Sequence, residues 1–257
     1  MPELPEVETL CRQLTKKISG KRILSAEVYD SKLSGVKNFK QGTVVDVKRQ
    51  GKTICINLAD GNSLSIHLRM TGRLLWQESA VKPTYSRWRM RFKTGNVFLV
   101  DPRRFATVRV MKTVQGNIQN DFITGFDEKI FLAMHAGRKV TIKTLLMDPK
   151  AVAGIGNIYA CEILKGAGIS PLRIASALSR QEWKRIFTVA RKILKKGIEK
   201  RGTSISDWRD LYGRPGENQR ELKAYGREKK CCTLCGGTIC RIKQGGRSTF
   251  YCPGCQK

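Results

Sequence analysis

Acidic residues are scarce in this 257-residue chain: 21 Asp and Glu stand against 49 Lys and Arg, a formal charge of +28. No apolar run approaches the roughly 20 residues that a membrane-spanning helix requires. The opening Met1-Pro2-Glu3-Leu4-Pro5-Glu6 lacks the basic and apolar regions of a secretion leader. Histidine is confined to His67 and His135. These absences argue against a spanning helix, and the setting expected is reducing and intracellular, cytoplasmic or nucleoid-associated. The nine cysteines are then metal ligands or small core residues. Positive charge on this scale costs stability through self-repulsion, and a polyanionic partner, nucleic acid foremost, offsets that cost.

What is present divides the chain. Residues 5–18 have helical periodicity, with Val7, Leu10, Cys11, Leu14 and Ile18 on one face. From about 22 to 112 short alternating runs are broken by turn signals, the pattern of a two-faced antiparallel sheet packed as a sandwich or flattened barrel. In one run Arg87, Arg89, Arg91 and Lys93 alternate with Trp88, Met90 and Phe92 and form a basic comb. A polar stretch at 113–125 reads as a linker into a helical region, with helices expected from Ile158 to about Lys165 and over 180–198. The second opens on Ser179 and Glu182 at capping-box spacing. Residues 201–227, rich in glycine and charge, read as a long mobile loop. Cys11, Cys55 and Cys161 stand singly in apolar surroundings, whereas Cys231, Cys232, Cys235, Cys240, Cys252 and Cys255 crowd into a separate C-terminal unit. The fold class expected is α+β and multidomain.

Four motifs carry chemistry. Cys232-x2-Cys235 and Cys252-x2-Cys255 have the spacing of a four-thiolate Zn²⁺ site; a pair of redox dithiols is the alternative. Four thiolates leave no open position, so one such Zn²⁺ is structural. The intervening hairpin would carry Arg241, Lys243 and Arg247 into a DNA groove. If Met1 is removed, Pro2 presents a secondary amine followed by Glu3 and Glu6. An α-amino group of pKa roughly 7.7–8.0 beside a carboxylic acid is equipped for Schiff-base chemistry; a plain N-terminal helix cap fits the same residues. Gly154-Ile155-Gly156-Asn157 suits phosphate binding at a helix start, or is an ordinary turn between helices. Asp101-Pro102-Arg103-Arg104-Phe105 suits insertion into a base stack, or is a strand end with Phe105 in the core. Lys52 at a hairpin tip is open to either a catalytic or a solvated role.

Taken in order, Pro2 to Thr9, Gly51-Lys52, His67 to Gly72, Asp101 to Phe105, Met147 to Ala160 and Gly246 to Cys252 resemble the formamidopyrimidine-DNA glycosylase / endonuclease VIII family, nearly end to end. The resemblance implies a base-excision repair enzyme acting on double-stranded damaged DNA as a monomer, without a small-molecule cofactor. It implies a β-sandwich with flanking helix at 1–112, a linker at 113–125, a helix-two-turn-helix domain at 126–226 with a lesion-recognition loop near 203–225, and a zinc-finger hairpin at 227–257. Pro2 would be the nucleophile, Glu3 the general acid/base, Glu6 a residue holding the site, and Lys52 a phosphate-contacting catalytic lysine. Lys143, Asn157 and Arg247 would grip phosphates, and Met70, Arg103 and Phe105 would fill the gap left by an everted nucleotide.

Within the family the opening motif and the separated Met70/Arg103/Phe105 set resemble the branch that removes oxidised purines, 8-oxoguanine and formamidopyrimidines, by a proline Schiff base and β,δ-elimination. Two other readings stand beside it: an oxidised-pyrimidine glycosylase of the endonuclease VIII type, and a non-catalytic zinc-ribbon DNA-binding protein.

Overall fold

A computed structural model describes residues 1–36, 39, 42–113 and 120–257. The chain forms two compact units, Met1–Gly116 with Lys200–Gln219, and Asn117–Glu199 with Arg220–Lys257. Of the expected linker at 113–125, residues 114–119 lie outside the described residues.

The first unit opens with helix α1 (Leu4–Ile18), capped by Glu3, with Pro5 in the first turn and Lys16 and Lys17 in the last, where they suit the helix dipole. Val7, Leu10, Cys11, Leu14 and Ile18 are buried along it. Eight strands follow: β1 (Ser25–Val28), β2 (Val44–Gln50), β3 (Thr53–Leu58), β4 (Asn62–His67), β5 (Arg73–Gln77), β6 (Ser86–Phe92), β7 (Gly95–Val100) and β8 (Thr107–Lys112). They make two four-stranded antiparallel sheets, ordered β1-β6-β7-β5 and β2-β3-β4-β8. Inward residues of both, among them Ile54, Ile56, Leu64, Trp88, Val97 and Leu99, share one core with α1. The alternation seen in the sequence is the two-residue period of a strand with one face on that core.

The basic comb on β6 does not form. A register shift between Ser86 and Trp88 interrupts the pairing with β7, and such an irregularity re-aims side chains. Arg87 is only 3% exposed and pairs with Asp30 at 2.5 Å and Asp101 at 3.3 Å. Half-buried Arg89 bonds to Asn96 and Glu27, so Arg91 and Lys93 alone of the four are exposed. Two of the comb's charges are thus internal pairs.

The 201–227 segment is also more embedded than its composition suggests. Residues 200–219 pack within the first unit, with Trp208 and Leu211 in its core. The Trp76 amide donates to the Leu211 carbonyl at 2.8 Å. Asp210 accepts from Gln13 and Arg201, and Arg201 also pairs with Glu217. One arginine and two carboxylates of the segment are thus paired locally, and two apolar residues anchor it.

The second unit contains α2 (Glu128–His135), α3 (Ile142–Met147), α4 (Asn157–Ala167) and α5 (Arg180–Glu199), then the hairpin β9 (Cys240–Gln244) and β10 (Arg247–Tyr251). Ser179 and Glu182 cap α5 reciprocally, at 2.8 and 3.2 Å. Trp183 and Phe187 of α5 meet Phe131, which with Phe122 and Phe126 forms an aromatic core. The hairpin turns on Gly245 and Gly246, both at positive φ, as a tight two-residue connection requires. Among the described residues no helix is long and apolar enough to cross a membrane.

Candidate active site and metal centre

The start of α1 is closed into the protein. Pro2 is buried, and Glu3 and Glu6 are 3% and 2% exposed. Glu6 accepts the Glu3 amide at 2.8 Å through one oxygen and the Thr203 amide at 2.7 Å through the other. Gly202, at φ +84°, makes this approach possible: a Cβ there would stand 2.7 Å from Glu6 Cγ. Thr203 is held in turn by Asn218, whose side-chain amide donates to its hydroxyl at 2.8 Å. Sequence periodicity gave no sign that a segment two hundred residues away would complete this corner, because nothing local encodes it.

Lys52 occupies the two-residue tip between β2 and β3, with Gly51 at φ +59°. Buried Arg49 fixes the tip: its guanidinium pairs with Glu8 of α1 at 2.9 Å and donates to the Gly51 carbonyl at 3.1 Å. Across the next hairpin, His67 Nδ1 accepts the Arg69 amide at 3.1 Å. Burial, with Arg69 and Lys52 nearby, lowers His67 to about 4, so near neutral pH its imidazole is uncharged and free to accept.

Two turns present Met70, Arg103 and Phe105 to solvent, Met70 and Phe105 being 50% and 45% exposed. The Arg103 guanidinium stacks 4.8 Å from the centre of the Phe105 ring. Phe105 is therefore not a core residue. Asp101 ties both turns together: it accepts from Thr71 Oγ1 at 2.5 Å, from the Arg103 amide, and from the Phe105 and Ala106 amides at 2.7 Å each. Burial alone would raise this carboxyl; the Ala106 amide, the Thr71 hydroxyl and the Phe105 and Arg103 amides outweigh it and hold it below the usual range. Between the exposed pair, Arg104 adopts φ +59° and turns to Asp30, which it meets at 2.6 Å. A non-glycine residue in that region is strained, and the buried Asp30 salt bridge holds it there. Asp30 carries no motif of its own and has no signal in the sequence; Asp101 opens the Asp101–Phe105 motif, but its role as anchor of both turns is not written there.

In the second unit Lys143 is wholly buried, its ammonium donating to Asn157 Oδ1 at 2.6 Å and Thr249 Oγ1 at 2.7 Å. Asn157, half-buried at the start of α4, donates to the Ser248 carbonyl at 2.9 Å. One lysine thus joins α3, α4 and β10. Arg247 is exposed at the hairpin turn.

The sulfurs of Cys232, Cys235, Cys252 and Cys255 all lie within 4.8 Å of one another. Cys235 to Cys252 measures 3.4 Å and Cys232 to Cys255 3.8 Å, close to the roughly 3.8 Å that thiolates about 2.3 Å from a tetrahedral ion would show. The donor set fits a metal ion. Cys231 lies outside it, its thiol directed to the Gly236 carbonyl at 3.1 Å. The cluster's own apolar core is small: Ala224, Ile239 and Phe250 beside Cys232 and Cys252.

Two known domain families match the chain N-terminal to the four-cysteine hairpin. Residues 1–108 match the formamidopyrimidine-DNA glycosylase N-terminal domain, and residues 119–208 match the formamidopyrimidine-DNA glycosylase H2TH domain. The chain belongs to the formamidopyrimidine-DNA glycosylase family. A formamidopyrimidine-DNA glycosylase of Carboxydothermus hydrogenoformans is 41% identical over 268 residues, covering all of both chains, and one from an Enterobacter species is 36% identical over 270. Among solved structures, the Lactococcus lactis family member in complex with abasic-site DNA superposes with a TM-score of 0.90 at 31% identity over 99% of each chain. A MutM complex with DNA containing carbocyclic 8-oxoguanine gives 0.89 at 32% over the whole of both. The fold is that of this glycosylase family: an N-terminal β-sandwich with its flanking helix, the H2TH helices, and a four-cysteine hairpin.

Proposed function

We propose that the protein is a bifunctional DNA glycosylase and abasic-site lyase of base-excision repair that removes oxidised purines, 8-oxoguanine and formamidopyrimidines, from double-stranded DNA. The observation that carries this reading is the corner at Pro2, Glu3 and Glu6, in a chain similar over its full length to formamidopyrimidine-DNA glycosylases.

With Met1 removed, the Pro2 nitrogen attacks C1′ of the damaged nucleotide and the base departs. Glu3 protonates the deoxyribose ring oxygen, the C1′–O4′ bond opens, and the proline nitrogen, which gave up its proton as the base departed, is left joined to C1′ as a cationic iminium. That cation acidifies the C2′ proton, so β- and then δ-elimination cut the strand on both sides of the sugar. Glu6 keeps the nucleophile's turn in place through its two amides. Lys52 is offered from a tip clamped to α1, where its charge meets a phosphate next to the lesion.

Everting a nucleotide costs a few kcal/mol of unstacking. Met70, Arg103 and Phe105, held on their turns by Asp101, fill the gap, and Arg103 faces the orphaned base. Asn157 and Arg247 bind phosphates, with the buried Lys143 placing Asn157 and β10 for that task. Cys232, Cys235, Cys252 and Cys255 hold one Zn²⁺, whose contribution is to fold the hairpin; it takes no part in the chemistry. The functional divisions are 1–112, 126–226 with the lesion loop near 203–225, and 227–257, joined by the linker at 113–125, although residues 200–219 belong structurally to the first compact unit. The enzyme works as an intracellular monomer.

Incubation with duplex DNA carrying 8-oxoguanine opposite cytosine, followed by borohydride, traps a covalent adduct on a polypeptide whose mass lacks Met1. Absence of an adduct on Met1-free protein would sink the catalytic reading and favour a DNA-binding protein. Faster trapping on an oxidised pyrimidine would move the substrate to the endonuclease VIII type.

A further inference from the structure

The C-terminal end of α4 is stitched to the second cysteine knuckle. Gly168 closes the helix in the left-handed conformation, φ 68°, and its carbonyl accepts the Lys257 amide at 3.1 Å. Gln256 donates from its side chain to the Ile169 carbonyl at 2.9 Å. A helix ends with partial negative charge on its last carbonyls, and a divalent ion with four thiolates carries a net charge of about −2. Two negative features therefore meet beside the buried Cys232 and Cys252 and the half-buried Cys255, where repulsion is less screened than in open solvent.

Lys165 sits in that last turn of α4. It is 4% exposed, and its ammonium donates to Cys255 Sγ at 3.2 Å with Cys232 Sγ also within reach. These two sulfurs are 3.8 Å apart. A lysine is seldom buried so fully without a partner. Glu162, one turn earlier on the helix, is attracted to the Lys165 charge, but its carboxylate accepts the amides of Lys223, Ala224 and Tyr225 at 2.8, 2.9 and 2.8 Å, and the ammonium's hydrogen bond goes to sulfur.

We propose that Lys165 is the built-in counter-cation of the four-thiolate metal centre, donating to Cys255 and Cys232 and setting the donor strength of their sulfurs. The proposal rests on reading the four cysteines as a metal ligand set. A charge-assisted hydrogen bond draws electron density from sulfur, which makes the thiolate a weaker nucleophile while leaving it bound to the metal. The centre is thereby protected from electrophiles, and its repulsion of the helix end is reduced. Lys165 is a positioning and tuning residue; it touches neither DNA nor the reacting sugar.

The test uses the full-length protein loaded with Co²⁺, whose sulfur-to-metal charge-transfer absorption reports donor strength directly. Lys165→Met keeps the volume and removes the charge. It is expected to move the band to longer wavelength and to speed metal release under iodoacetamide roughly tenfold, the scale of one charge-assisted hydrogen bond. Lys165→Arg restores both, and Lys165→Gln, neutral but still a donor, gives an intermediate band even if the Met variant folds poorly. A lysine that merely fills space leaves the band in place in all three. An unmoved band and an unchanged release rate in folded variants overturn the proposal and leave the metal site standing. Wild-type protein that isolates without zinc and takes up no Co²⁺ overturns both.

Discussion

Glu6 joins the first turn of α1 to Thr203 through a 2.7 Å bond from a backbone amide, while its second oxygen accepts the Glu3 amide at 2.8 Å. A buried carboxylate that accepts from two amides cannot be replaced by a carboxamide without turning one N–H against another. Glu6→Gln should therefore cost about 1–3 kcal/mol of stability, seen as a lower urea midpoint, and should reduce borohydride trapping more than DNA binding. Gly202→Ala tests the same corner from the other side, since a Cβ would overlap Glu6 and demand φ +84° of an L-residue. An unchanged midpoint in both variants would refute the role assigned to this contact.

Asp101 is the common anchor of the turns that carry Met70, Arg103 and Phe105. Thr71→Val removes one of its bonds while the backbone amides remain, so the fold survives. Excision of a lesion in duplex DNA should fall severalfold, whereas cleavage at a pre-formed abasic site, which needs less help in eversion, should fall less. Fluorescence of 2-aminopurine placed opposite the lesion reads gap filling directly. Equal loss on both substrates would count against a gap-filling role.

The His67 imidazole accepts the Arg69 amide and so must be neutral. Its folded value of about 4 lies below the ordinary 6.5. Between those values the unfolded chain binds more protons than the folded one, so the stabilisation is complete above pH 6.5 and is lost as pH falls towards 4. The thermal midpoint of the wild type should drop across that window, and His67→Asn should flatten the dependence. An NMR titration of His67 centred near 6.5 would overturn the assignment.

The four-cysteine hairpin has a small apolar core of its own, too little for independent folding, so its order should depend on metal. Chelation or Cys232→Ser is expected to abolish the hairpin's amide protection in hydrogen exchange and to weaken DNA binding, while β2, β3 and β4 stay protected. Full DNA affinity after complete zinc removal would contradict this.

The local signals in the sequence carried a good part of this architecture. Helix α5 runs from Arg180 to Glu199 against an expected 180–198, and α1 from Leu4 to Ile18 against 5–18, because an apolar face repeating every 3.6 residues is written in neighbouring positions. The C-x2-C knuckles were legible for a similar reason: ligand spacing within each is a local property. The short helices α2 and α3, of eight and six residues, offer little more than two turns of pattern at most, and the sequence gives bounds for neither.

Neighbouring residues write the periodicity of the elements, the cysteine spacing and the ordered motifs of one glycosylase family. Where the charges go is set by long-range packing. Arg87 looked like one tooth of a surface comb and is instead buried between Asp30 and Asp101; Lys165, in the sequence only the approximate end of an expected helix, is buried against Cys255. Residues 200–219, with the composition of a loose loop, pack on the first unit through Trp208, Leu211 and the Glu6–Thr203 bond. The reason is common to all three. A charge enters a protein interior only where a partner distant in sequence meets it, and such partners are set by packing, not by any local pattern.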